Sequence, residues 1–243
     1  MNHFSPERAF QTPGRTAGQG GSWFRVGALA LGTILALQAV WILIPEIIRP
    51  VLPFFPATSG EARATASHYY RAALAAHIGW WRGGLLADNA LSLNAPTLGA
   101  FLDGHAAQAP NAGSVGYASA ETAAALAPAD ARPWLLLAMA SAQTHNYERA
   151  LAQLKMSYYT AAYSEKLFPL RIQIVAQLPA LTDRELQGFL QYELKTIIHN
   201  SPSQKPSIVA AYRSATPAAR QFLNATLAPL DAKFLTQLRS TGR

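Results

Sequence analysis

The chain has 243 residues, of which 50% are hydrophobic and 14% are charged, so its charged share lies well below the quarter typical of soluble domains. The sequence contains no cysteine, which excludes a disulfide framework, a thiolate metal site and a cysteine nucleophile. The formal net charge is +7, and residues 149–243 contribute twelve basic against five acidic side chains. This basic half fits an ordinary solvated face, because its charges are scattered singly, and an anionic glycan, a lipid surface or an acidic protein as partner is the alternative.

A stretch of nineteen residues without a charged side chain, Val26 to Ile44, lies near the N-terminus. At about 1.5 Å per helical residue it matches the roughly 30 Å hydrocarbon core of a bilayer. Trp23 before it and Trp41 near its far end fit the aromatic anchors of a membrane interface. The sequence therefore predicts a single transmembrane helix over residues 26–48, in contact with the lipid bilayer.

The charges that precede this stretch predict its orientation. Arg8, Arg15 and Arg25 stand there against a single acidic residue, Glu7. Positive residues stay on the cytoplasmic side, so we expect a cytoplasmic N-terminus, a helix in the bacterial inner membrane and residues 51–243 in the periplasm. A cleaved secretory signal is the alternative, although the apolar core is longer than such signals have.

Small residues recur every four positions within the predicted membrane helix. Ala28, Gly32 and Ala36 form a stripe that would let a second helix approach closely. Gln38 adds a side-chain amide that could form a hydrogen bond across such a contact. The sequence thus offers one candidate surface for helix packing inside the membrane.

Composition divides the chain into four segments. We expect a flexible cytoplasmic tail over residues 1–25, rich in Gly and Ser, followed by the membrane helix. Four prolines between residues 45 and 60 predict a semi-rigid spacer, which we place at residues 49–60. Residues 61–243 show helical apolar periodicity almost throughout and predict an all-α domain in the periplasm.

Boundary signals within this domain predict short helices. One is expected over residues 96–108, after Asn94 and ending near Pro110. Thr182 and Glu185 fit a capping box at the start of another helix. Thr216, which is followed by proline, fits the N-cap of a third.

Residues 120–154 resemble the tetratricopeptide repeat, a unit of two helices joined by a turn. The matching positions are Ala123, Pro128, Trp134, Leu137, Ala138, Tyr147, Ala150 and Leu154. Ser141 and Ala162 depart from the family pattern, which has tyrosine and proline there. The resemblance implies stacked helix pairs with a concave binding surface, so we expect residues 61–243 to form a degenerate tetratricopeptide-like domain.

Motifs of catalysis and metal binding are missing from the sequence. The six histidines form neither HxxxH nor HExxH, and no GxSxG, SxxK or phosphate-binding glycine loop occurs. We therefore expect no catalytic residue, no metal site, no cofactor and no enzyme activity. Nucleic acid is not expected as a partner either.

Two groups of side chains are candidates for partner binding. Trp80, Trp81 and Arg82 could stack on a sugar or a protein, fill the core, or rest on the membrane surface. The basic half supplies a second group, which could converge on one face: Arg171, Arg184, Lys195 and Arg213.

These features predict a membrane-anchored, non-catalytic scaffold that binds a protein partner in the bacterial envelope, with polysaccharide synthesis or export as a setting. The layout of tail, anchor, spacer and helical domain is similar to that of many bacterial single-pass envelope proteins. Two alternatives are a small accessory subunit that packs on a larger integral protein through its membrane helix, and an envelope enzyme that acts on glycan.

Overall fold

The computed structural model describes residues 20–104, 114–179 and 181–241. Over these three ranges the chain is all-helical, with twelve α-helices and no β-strand, which confirms the predicted all-α class. The chain divides into two compact units, residues 1–43 and residues 44–243.

The helices are, in chain order, α1 (Gly20–Ile48), α2 (Ser59–Ser67), α3 (Tyr69–Ile78), α4 (Gly83–Leu102), α5 (Ser114–Leu126), α6 (Ala131–Gln143), α7 (Tyr147–Ala161), α8 (Phe168–Gln177), α9 (Arg184–His199), α10 (Lys205–Ser214), α11 (Pro217–Leu227) and α12 (Ala232–Thr241).

Helix α1 contains the stretch Trp23–Ile48, which is long and apolar enough to cross a membrane. Most of this stretch, residues 23–43, belongs to the first unit. The one hydroxyl within the stretch is satisfied by the helix itself, because Thr33 Oγ1 donates to the carbonyl of Leu29 at 2.9 Å. Residues 20–25 are helical and not part of a flexible tail, since no helix breaker stands between Ser22 and the apolar stretch. Residues 1–19 of the predicted tail lie outside the described residues.

The core of the second unit is built on α4, α6 and α8. Every residue from Phe168 to Ala176 of α8 is buried, and α6 packs against α5, α7 and α8. Leu98 and Phe101 of α4 join Leu135 of α6 in one apolar cluster that continues as far as α12. These short helices are therefore held by tertiary packing more than by their own propensity.

The predicted helix pair is present as α6 and α7, which contact each other extensively. Ala138 and Ala150 are both buried, and their small size lets the two helices approach closely. In the turn between them, His145 has a positive φ of 59°, a conformation that β-carbon sterics normally disfavour. Asn146 then caps α7 by accepting the N–H of Arg149 at 3.3 Å.

The separate helix expected over residues 96–108 was wrong. Helix α4 runs without a break from Gly83 to Leu102 with Pro96 inside it. Proline removes one backbone hydrogen bond, but Leu91, Leu98 and Phe101 on either side are fully buried. Their packing keeps the segment helical through Pro96, and residues 105–108 lie outside the described residues.

The predicted capping box at the start of α9 was also wrong. Asp183 is the N-cap, and its Oδ1 accepts the N–H of Leu186 at 3.0 Å. Glu185 instead pairs with Lys155 at 3.0 Å, which lowers the pKa of Glu185. The predicted N-cap Thr216 is confirmed, since its Oγ1 accepts the N–H of Ala219 at 3.2 Å.

Residues 49–58 contain no helix, as a proline-rich spacer should, but they belong to the second unit and pack within it. Phe55 is 1% exposed and belongs to the main apolar cluster. The guanidinium of Arg132 lies over the ring of Phe54, 5.4 Å from its centroid. Most of the predicted spacer is therefore part of the folded domain.

Candidate functional site

A cluster of charged side chains lies at the C-terminal end of α1, within the second unit. Arg49 donates from Nε to Asp88 Oδ2 at 2.7 Å, and Arg132 donates from Nη1 to Asp88 Oδ1 at 2.6 Å. Arg132 also donates from Nη2 to Asp130 Oδ2 at 2.6 Å. Asp88 and Arg132 are buried, so one carboxylate joins the residue after α1 to helices α4 and α6.

Local structure and electrostatics both hold this cluster in place. Asp130 is the N-cap of α6, and its Oδ1 accepts the N–H of Arg132 at 2.9 Å. The hydrogen bond to Asp88 raises the pKa of Arg49. Burial acts to lower the pKa of Arg132, but the hydrogen bonds and charges of Asp130 and Asp88 together outweigh it, and the pKa is raised. Both guanidinium groups therefore stay charged.

A cleft of about 510 Å³ opens beside the cluster. It is lined by Glu46, Asp88, Arg132 and residues 49–54. Both oxygens of Asp88 already accept hydrogen bonds from arginines. The carboxylate therefore suits a structural clamp better than it suits proton transfer.

The aromatic and cationic group predicted at residues 80–82 lies next to the end of α1. Trp80 is 67% exposed and Trp81 is 39% exposed, so neither is a core residue. Their rings meet edge to face with centroids 5.9 Å apart. Arg82 Nη2 donates to the carboxylate of Glu46, which fixes this group to α1.

The small-residue stripe predicted on the membrane helix is exposed on the first unit. Ala28, Gly32, Ala36 and Gln38 are all exposed on α1. A Cβ placed on Gly32 would meet no atom within 4 Å. This face is therefore open to a close approach by another helix.

Most residues of the tetratricopeptide-like motif are in the core. Those that are buried are Ala123, Leu137, Ala138, Ala150 and Leu154. Trp134 is half-buried, and its Nε1 donates to the carbonyl of exposed Pro128 at 2.8 Å. Tyr147 is also half-buried, with its hydroxyl 2.8 Å from Nδ1 of His145.

The prediction that Arg171 belongs to an exposed basic face was wrong. Arg171 is 0% exposed, and its Nη1 donates to Glu193 Oε1 at 3.1 Å. Its Nη2 donates to the carbonyls of Ser157 and Ala161, and its guanidinium lies over the ring of Tyr158. An arginine in the middle of the apolar helix α8 is thus taken into the core, where hydrogen bonds satisfy it.

Glu193, the partner of Arg171, is also fully buried. Burial raises the pKa of Glu193 to about 7, against the lowering effects of Arg171 and of the Tyr158 hydroxyl. That hydroxyl donates to Glu193 Oε2 at 2.9 Å. The group forms a closed polar network inside an otherwise apolar region.

The other three predicted basic residues are exposed, but they do not converge on one site. Lys195 borders a cleft of about 500 Å³ between α9 and α11. Arg213 borders a different groove of about 620 Å³, between α10 and residues 57–59. Arg184, at the start of α9, lines neither of these two.

Sequence reasoning did not identify the clamp that Arg49 and Arg132 make on Asp88. Its signal in the sequence was the placing of Arg49 directly after the apolar stretch, where a charged group needs a partner. Within the described ranges, His, Asp and Glu side chains form no group of three that could hold a metal ion. His105 lies outside those ranges.

The chain matches no protein-family model, and no curated protein or solved structure shows significant similarity to it. Its function is therefore inferred from the fold and from the surfaces described above.

Proposed function

We propose that the chain is a membrane-anchored, non-catalytic interaction module of the bacterial cell envelope. The observation that carries this proposal is the stretch Trp23–Ile48, which is apolar, long enough to cross a membrane and exposed over residues 23–43. An apolar surface of that size needs lipid or protein around it. Arg8, Arg15 and Arg25 favour a cytoplasmic N-terminus and a periplasmic helical domain in the inner membrane.

The state of the buried carboxylates supports a non-catalytic role. Asp88 is held by two arginines, and Glu193 by Arg171 and the hydroxyl of Tyr158. A general acid or base must be free to exchange a proton with a substrate. These two groups act instead within the fold, which favours a scaffold over a glycan-active enzyme.

The partner surface that we assign to the domain is the cleft between α9 and α11. Apolar Phe222 and Leu230, two glutamine amides and the exposed ammonium of Lys195 line it. Such a lining suits a protein segment with an apolar side and an acidic side chain. The resemblance of α6 and α7 to a tetratricopeptide repeat supports peptide binding by the domain. We expect the partner in an envelope machine, with polysaccharide synthesis or export as the setting.

A second candidate is a small accessory subunit that packs within the membrane. The exposed stripe of Ala28, Gly32 and Ala36 favours it, because small residues let helix backbones approach closely. In that case the helical domain would be secondary, and the contact would depend on α1.

Topology is the first test. A reporter that is active only outside the cytoplasm should be active when fused after Arg243 and inactive when fused after Gln19. The reverse pattern would contradict the proposed localisation.

The partner is tested by crosslinking in intact cells from a photoreactive residue at position 191, inside the cleft. Lys195→Glu should weaken the crosslink, while Lys166→Glu, an exposed charge outside the cleft, should not. Exchange of residues 23–43 for an unrelated membrane helix should leave the crosslink intact. If that exchange abolishes the contact and Lys195→Glu does not, the accessory-subunit function is favoured instead.

A further inference from the structure

Exposed apolar side chains of the second unit are concentrated in one segment of the chain, α3 and the turn that follows it. Outside residues 47–54, nine large hydrophobic side chains of this unit are exposed in the described ranges, and five of them fall within residues 69–81. We call these five the aromatic surface: Tyr69, Tyr70, Leu74, Trp80 and Trp81. Tyr70 is 81% exposed. Patches of this kind mark a site of interaction with a protein or a membrane.

The same segment is cationic. Between Glu61 and Asp88 the sequence contains three arginines and no acidic residue, although residues 51–148 as a whole carry six acidic and four basic side chains. Arg63 and Arg71 are exposed within it. The aromatic surface therefore has positive charge at its edge, which suits an anionic ligand.

Direct contacts fix the aromatic surface to the last residues of α1, all within the second unit. Arg71 Nε donates to the carbonyl of Ile48 at 3.2 Å, and Ile48 packs against the buried alanines of α3. Arg82 pairs with Glu46. A Cβ on Gly79 would lie 3.4 Å from Pro45 and 2.4 Å from Leu85, so the turn before Trp80 is tightly packed. The surface is thus rigidly held beside residues 45–48.

The length of the apolar stretch determines how deep residues 45–48 lie in the bilayer. Trp23–Ile48 contains 26 residues. A helix of that length spans roughly 39 Å, whereas the hydrocarbon core is about 30 Å thick and the headgroup layers bring the bilayer to about 40–45 Å. Residues 45–48 therefore fall in the headgroup layer, where Trp and Tyr are enriched.

We infer that the aromatic surface rests in the headgroup layer of the leaflet from which α1 emerges, with anionic phospholipid as its ligand. Trp and Tyr place an apolar ring towards the acyl chains and a polar group towards water, and the exposed guanidinium groups of Arg63 and Arg71 bind lipid phosphate. The inference rests on the proposed anchoring by α1. It adds a second membrane contact, made by the periplasmic domain itself.

Because the chain contains no cysteine, a single introduced cysteine can be labelled with one nitroxide at a chosen position. The test uses such labelled variants. The full chain is reconstituted in vesicles of an equimolar mixture of phosphatidylcholine and phosphatidylglycerol. Leu74→Cys reports the aromatic surface, Tyr163→Cys is an exposed control on the same unit, and Ile34→Cys reports the anchor. For each label, collisions with oxygen are compared with collisions with a water-soluble nickel chelate.

The ratio of oxygen to chelate collisions should be several-fold higher at position 74 than at position 163. It should fall when the vesicles contain phosphatidylcholine alone and when Trp80 and Trp81 are both replaced by alanine, while Tyr192→Ala should leave it unchanged. If the label at position 74 lies in water while the label at position 34 lies in lipid, the inference is overturned but the proposed membrane anchor is retained. Aqueous labels at both positions would refute the anchor and the inference together.

A protein could cover the aromatic surface instead of lipid. In that case the label at position 74 would be aqueous in pure lipid vesicles but shielded from the chelate in native membranes. This outcome would overturn the lipid assignment.

Discussion

Arg49, the residue directly after α1, donates a hydrogen bond from Nε to the buried carboxylate of Asp88 at 2.7 Å. The two residues are 39 positions apart in the chain. The bond therefore ties the end of α1 to the interior of α4. Arg132 binds the other oxygen of the same carboxylate, so the stability of this region depends on one aspartate.

Asp88→Ala should destabilise the domain by about 3–5 kcal/mol, because the buried guanidinium of Arg132 would then have only Asp130 as a carboxylate partner. The measurement is urea unfolding of the full chain in detergent micelles, followed by far-ultraviolet circular dichroism. Glu121→Ala is the control, since its exposed pair with Arg149 should be worth less than about 1 kcal/mol. Equal losses in the two variants would contradict the clamp.

The packing of Phe55 predicts where the domain can be truncated. A chain that begins at Ala57 should still give a helical spectrum, but it should be less stable than one that begins at Ile44 by at least about 3 kcal/mol, because it lacks both Phe55 and Arg49. Phe55→Ala in the longer chain should reproduce most of that loss. If the two chains unfold at the same urea concentration, residues 49–56 are a free spacer after all.

Trp134 contributes both a hydrogen bond and a half-buried ring. Trp134→Phe keeps a six-membered aromatic ring but removes the bond to the Pro128 carbonyl and the five-membered part of the indole, and it should cost about 1–2 kcal/mol. Trp134→Ala also removes a half-buried ring and should cost about 2–4 kcal/mol. Tyr163→Ala, at an exposed ring, serves as the control for urea unfolding. A Phe variant as stable as the parent would show that the hydrogen bond contributes nothing.

Glu193 predicts a pH dependence with a definite sign. Its pKa is raised from 4.5 to about 7 in the folded chain, so the folded state binds this proton more tightly than the unfolded state. The resulting stabilisation is complete below about pH 4.5 and is lost as the pH rises through about 7. Between these values we expect Glu193 to lower the free energy of unfolding by up to about 3 kcal/mol.

Glu193→Gln cannot titrate and should lack this part of the pH profile, while Glu121→Gln should retain it. Comparison of the variants with the parent removes the contributions of the other carboxylates. The same slope in Glu193→Gln and the parent would show that the charge of Arg171 keeps Glu193 ionised at all these pH values.

The features that could be predicted from the sequence are those that depend on residues close together in the chain. The apolar stretch Val26 to Ile44 and the N-cap at Thr216 each depend on a few consecutive side chains. Their structure follows from local periodicity and capping, so they could be predicted without knowledge of the fold.

The features that it missed depend on distant contacts. The sequence predicts that a helix starts at residue 96, but burial of Leu98 and Phe101 keeps α4 helical on both sides of Pro96. Arg171 reads as a surface charge, yet its partner Glu193 is 22 positions away. Asp88 likewise finds its arginines 39 and 44 positions away. No local pattern encodes such pairs, because they form only when the helices stack.

The packing of residues 49–58 within the second unit bears on the reach of the domain from α1. Twelve residues, 49–60, would reach about 40 Å if they were an extended leash. Phe55 and Arg49 are instead held in place, so that length adds almost no reach. If α1 crosses the inner membrane as proposed, a domain tethered in this way samples only a thin layer next to the bilayer and not the full depth of the periplasm. A partner of that domain would then have to present its binding segment close to the membrane, as another membrane protein or the mouth of a membrane complex does.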